Sequence, residues 1–130
     1  MAPENTLTGL WQGQFSYPRA MPPEFFTANL IEAPDFIGGS IQETARSGKH
    51  AGKVFYASVH GSRDGNMVRF TKTYETPPML HEVLYQGTIN AEGTEIDGTW
   101  TLPGSWSGRF LMIRSTGLAQ LAERRETVEV

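Results

Sequence analysis

From Leu7 onward, apolar and polar side chains trade places almost residue by residue, halt at a cluster of turn residues, and begin again. A period of two marks a half-buried strand, because successive side chains leave opposite faces of the backbone. The repeats predict strands at about 7–17, 24–32, 35–44, 52–60, 66–75, 80–90, 94–102 and 107–115. Separators include Ala33-Pro34-Asp35, the run Gly61-Ser62-Arg63-Asp64-Gly65-Asn66, and Ala91-Glu92-Gly93, all rich in turn formers. The period then changes. Leu118, Leu121 and Ala122 fall at helical spacing after Ser115-Thr116, which predicts a short helix over 116–125.

Short strands at regular spacing point to an all-β sandwich or barrel. Eight strands joined by short links favour an up-and-down meander, since sequential strands usually pair. Eight is also the number that closes a barrel able to hold side chains or one small ligand. A sandwich needs a long crossover that this chain does not show. The expectation is one all-β domain over 1–130, an eight-stranded antiparallel up-and-down β-barrel with a short C-terminal helix.

Meander topology sorts the loops between two ends. The links at Pro34 and at Glu92-Gly93 are very tight and share one end, the floor. The other end takes SYPRAMPPE, ARSGKHAG, ETPPML and PGSWSG, which are longer and carry Tyr, Trp, Met, Arg and His. Side-chain-rich loops on a rigid scaffold usually carry function, so this end is read as the mouth.

Period two then sorts the interior. Trp11 inward brings Phe15 and Tyr17 with it, and the same face elsewhere holds Phe70, Lys72, Tyr74, Tyr85, Trp100, Leu102, Phe110, Met112 and Arg114. The second and third strands mix apolar and polar residues on both faces and give no parity. Trp11 lies near the floor between Gly9 and Gly13, which leave the indole room. A closed barrel makes the first and last strands neighbours, so Arg114 can lie over the indole face. This is a structural plug.

Lys72 is the one charged member of the inward set, toward the mouth. A buried lysine must be paired or lose its proton. Three readings stay open: a hook for an anionic ligand with Tyr74 and Tyr85 as donors, pairing with a core carboxylate, or a solvent-facing position.

Composition removes several functions. Net charge is −3 without blocks of like charge, so neither nucleic acid nor a membrane surface is an expected partner. No cysteine is present, which removes disulfides, thiolate metal sites and a cysteine nucleophile. His60 falls at the floor, and His50 and His81 fall at the mouth on the fourth and sixth strands, roughly 10 Å apart at one strand spacing each, so no metal site is predicted. No hydrolase, zinc-protease, P-loop or dinucleotide motif occurs, and no catalytic residue or cofactor is assigned. His81 with Glu75 is the one candidate acid–base pair. The opening MAPENTLTG lacks a basic leader, and no apolar run approaches the ~18 residues of a membrane helix, which predicts a cytoplasmic protein.

Gly9-Leu10-Trp11 on the first strand with Arg114 on the last resembles the signature of the calycin superfamily, which includes lipocalins, fatty-acid-binding proteins and avidins. LTGLW and YQGTINAEGTEIDGTWTL are similar to strands of the avidin and streptavidin branch, which implies a pocket wall at Phe70, Trp100 and Leu102. The polar biotin clamp is not matched, because Gly13, Tyr17 and Gly108 stand where Asn, Ser and Asp are expected. GLWQGQFSYP also resembles the haem-binding nitrobindins, but no histidine follows His81 to serve as their iron ligand. The avidin resemblance further implies homo-oligomers paired through outer faces, where Leu10, Leu84 and Leu111 fall.

These observations predict a non-enzymatic barrel that binds a small apolar or aromatic molecule, with an anionic end if Lys72 is the hook. The ligand site is Phe15, Tyr17, Phe70, Lys72, Tyr74, Tyr85, Trp100 and Trp106, with Trp106 or Met79 as a lid; Gly9, Trp11 and Arg114 are structural. Two alternatives remain: an isomerase or cyclase using the same cavity, and a filled barrel whose Pro-rich 18–23 and 75–79 bind a protein.

Overall fold

A computed structural model describes residues 6–17, 23–45, 49–77 and 80–115. The strands are β1 (Gly9–Ser16), β2 (Glu24–Ala33), β3 (Phe36–Thr44), β4 (Val54–Asp64), β5 (Met67–Tyr74), β6 (Glu82–Ile89), β7 (Glu95–Thr101) and β8 (Ser107–Arg114). Each pairs antiparallel with the next, and β1 pairs with β8, closing the barrel. The expected helix at 116–125 lies outside the described residues. Among the described residues, no helix is long and apolar enough to cross a membrane.

One boundary differs from expectation by more than two residues. Residues 61–64 are strand, not separator, so β4 runs on to Asp64 and only the Asp64–Met67 hairpin turns the chain. Gly65 makes that turn with φ +62, a conformation that costs glycine little. Gly61 has another role: a Cβ there would lie 2.1 Å from the Arg69 carbonyl oxygen. It permits close approach between strands rather than a bend.

Alternation delivers the core. Trp11, Phe26, Leu30, Ile41, Phe55, Val68, Tyr85, Ile96 and Met112 are all buried. β2 and β3, which gave no parity from sequence, turn Glu24, Phe26, Ala28 and Leu30 inward, and Ile37, Ile41 and Glu43. Large rings fit because glycines face them. A Cβ on Gly13 would lie 2.2 Å from the Phe26 ring, and one on Gly108 would lie 2.6 Å from the Trp100 indole nitrogen. Gly13 therefore makes room for Phe26 across the β1–β2 pair, not for Trp11 as expected.

The floor is built around Trp11, which is fully buried and donates its indole N–H to the Leu7 carbonyl at 2.9 Å. The Arg114 guanidinium lies over its ring, 4.3 Å from the centroid. Arg114 Nε donates to Gly93 O at 2.9 Å and Nη1 to Thr8 O at 3.1 Å, while Nη2 donates to Thr6 O. One side chain thus ties the segment just before β1, the β6–β7 link and β8 together. A Cβ on Gly9 would lie 3.2 Å from Arg114 Nη1, so that glycine makes room for the guanidinium.

Candidate functional site

The mouth half holds a polar network inside an aromatic shell. Lys72, on β5, is 1% exposed. Its ammonium donates to Glu43 Oε2 at 3.2 Å, to the Tyr74 hydroxyl at 2.8 Å and to the Tyr85 hydroxyl at 3.0 Å. The Tyr74 hydroxyl in turn donates to Glu43 Oε1. All three ammonium protons are therefore used, and both carboxylate oxygens of Glu43 accept. The same ammonium lies 4.6, 4.5 and 5.2 Å from the ring centroids of Phe15, Tyr74 and Tyr85, within cation–π range.

Local sequence explains the meeting. Lys72 and Tyr74 are two apart on one strand and share a face. Lys72 is paired across the ladder with Val83, and Tyr85 lies two residues further along β6 on the same inward face. Glu43 comes from β3, reaching across the barrel interior rather than along a ladder.

Burial sets the protonation states. It favours the neutral amine of Lys72, but the oxygens of Tyr85, Glu43 and Tyr74 outweigh it and hold the ammonium above its ordinary range. While the phenols keep their protons, the balancing charge is the Glu43 carboxylate. Burial pushes the Tyr74 hydroxyl up against the pull of Lys72, and Glu43 pushes it further. Burial raises Tyr85 as well, with Lys72 opposing. Both stay phenols at neutral pH. Tyr85 accepts from Lys72, yet among the described residues it donates no hydrogen bond of its own.

Aromatic rings surround the network. Tyr85 stacks on Phe70 at 4.9 Å between centroids, nearly parallel, and meets Phe110 edge-on at 4.9 Å. Toward the mouth, Phe15 meets Tyr17 at 5.7 Å and Trp100 at 6.1 Å, both edge to face. Trp100 donates its indole N–H to Ser16 O at 2.9 Å. Trp106, half-buried, covers this group at 5.3 Å from Tyr17 and 6.1 Å from Trp100. Tyr17 is raised by burial, then by the charges of Glu24 and Glu43.

No protein-family model matches this chain, and no curated protein or solved structure matches it. The residues themselves carry the interpretation.

All eight residues expected at the ligand site form one connected group. Of the three readings of Lys72, the structure shows pairing with a core carboxylate. Glu43 was missed, as was Glu24, because an acidic residue in a strand of mixed parity reads as outward. The signal was available: with Ile41 inward, Glu43 shares its face, and an inward lysine calls for a carboxylate. Met79 and residues 18–22 and 78–79 lie outside the described residues. His81 lies on the Tyr74 ring at 4.9 Å, with no hydrogen bond or ion pair to Glu75. Burial, aided by Lys72, lowers its pKa. His50 meets Phe55 edge-on at 5.9 Å.

Proposed function

We propose that this barrel binds a small, mainly aromatic molecule in its mouth half, as a calycin-like binding protein rather than an enzyme. One observation carries the reading: a lysine, a glutamate and two tyrosines form a buried polar network among aromatic rings. A buried ion pair contributes little net stability, and its replacement by packed apolar groups is often neutral or stabilising. A network of this kind is expected where something other than stability is at stake, such as orienting a ligand in an apolar pocket. The ligand would enter past Tyr17 and Trp106 and lie against Phe15 and Trp100, with Tyr85 and Phe70 at its deep end.

The chemistry of Lys72 supports binding over catalysis. An amine nucleophile or base must lose its proton, and the oxygens of Tyr85, Glu43 and Tyr74 hold this one charged. Pairing also weakens the case for an anionic ligand, because the charge such a ligand needs is already neutralised.

Native mass spectrometry of the purified protein, compared with the same sample denatured, tests the reading. A reproducible added mass that disappears on denaturation is the expected result and gives the ligand's size. Bare protein throughout would move the function to the loops of a filled barrel. The same spectra report whether the outer faces at Leu10 and Leu84, both exposed, join copies of the chain.

A further inference from the structure

Within the polar network every donor but one has an acceptor among the described residues, and the exception is informative. Lys72 donates three times, Glu43 accepts on both oxygens, and Tyr74 both donates and accepts. Tyr85 only accepts. Its hydroxyl proton is buried, since the residue is 2% exposed, and a buried donor without an acceptor is costly enough to be rare.

We propose that the Tyr85 hydroxyl donates to an uncharged carbonyl oxygen of the bound molecule, so that the ligand class is neutral aromatic ketones, esters or amides and not carboxylates. This rests on the reading of the barrel as a small-molecule binder and specifies its ligand. The donor is strengthened by its own acceptor role, because the Lys72 ammonium at 3.0 Å polarises the O–H bond. Raised by burial, the phenol keeps the proton it must donate. Phe70 and Tyr85 cover each other's faces, so the aromatic body would lie against the rings of Phe15 and Trp100. Among the described residues, the cation nearest the Tyr85 hydroxyl, Lys72, is already paired with Glu43. A carboxylate would sit near Glu43, and it could displace that residue from Lys72 only by leaving another charge buried and unpaired.

Three probes of one shape separate the possibilities: acetylnaphthalene, ethylnaphthalene and naphthoate, titrated into the protein with tryptophan fluorescence as the readout. Acetylnaphthalene should bind about five- to tenfold tighter than ethylnaphthalene, the worth of one buried hydrogen bond, and naphthoate should bind weakest. The infrared carbonyl band of bound acetylnaphthalene should fall in frequency, and Tyr85→Phe should return it and erase the preference over ethylnaphthalene. Equal binding of ketone and hydrocarbon, or tighter binding of naphthoate, overturns the proposal while the binding reading stands. If none of the three binds, the binding reading itself fails. The wild-type comparison and the infrared band decide the question even if Tyr85→Phe folds poorly.

Discussion

Arg114 at the floor and Lys72 at the mouth are both cations laid on aromatic rings in the same barrel, but their partners differ in kind. Arg114 bonds to the backbone carbonyls of Thr6, Thr8 and Gly93. Among the described residues, the Lys72 ammonium bonds only to side chains, those of Glu43, Tyr74 and Tyr85. Backbone carbonyls must find donors in any sequence, so an arginine that serves three of them is explained by closure of the fold alone. Side-chain acceptors are optional. Three placed around one lysine are explained by what they do together, which is why the mouth and not the floor carries the functional reading.

The difference can be broken most sharply at the mouth. Lys72→Met strands the Glu43 carboxylate in the interior and should destabilise the protein by about 3–5 kcal/mol. Adding Glu43→Leu should recover most of that loss, because the pair is then replaced by hydrocarbon. Urea unfolding of the two single variants and the double variant measures both, and an uncorrected double variant would show that the pair holds the fold rather than serving a ligand.

At the floor no such rescue exists. Arg114→Leu should cost about 2–3 kcal/mol, from charge-assisted bonds to carbonyls and the indole contact. Amide exchange should quicken in β1 and β8 while β3 and β5 keep their protection. Uniform loss of protection would contradict a local role.

Alkaline pH sharpens the contrast next. Tyr74, Tyr85 and Lys72 all have folded-state pKa values raised above their ordinary 10.0, 10.0 and 10.5. Above those values the unfolded chain has released protons that the folded one retains, so stability should fall as pH rises through 10 and beyond. The tyrosinate absorbance of this pair should appear together with unfolding rather than before it.

The smallest effect is at His81. Its folded pKa lies below the ordinary 6.5, so the unfolded chain binds the proton first and stability should decline as pH falls through 6.5. His81→Gln should flatten that slope, measured as the wild-type minus variant difference in unfolding midpoint across mildly acidic pH.

The strands, the closure of β1 on β8, and the Trp11–Arg114 contact were legible because each depends on a periodic pattern or on neighbours fixed by topology. Gly61 was misread because glycine marks both turns and close approaches, and only the partner strand distinguishes them. That the aromatic residues of the candidate site lie together was legible for the same reason as the strands. Glu43 was not, since a charge on a strand of mixed parity looks like a solvent-facing residue until Lys72 is known to need it. The free proton of Tyr85 depends on three other side chains at once and has no signature in the sequence.

Closure has a consequence for how the protein is made. The bonds from Arg114 to Thr6 and Thr8 join residues 108 and 106 positions apart, so the floor cannot assemble until Arg114 has left the ribosome. Until then β1 has one neighbour and an open edge, a state prone to pairing with other chains. Contacts of such long range also slow folding. The order of synthesis therefore leaves the barrel's first strand waiting for its last, and the nascent chain is most exposed to aggregation in that interval.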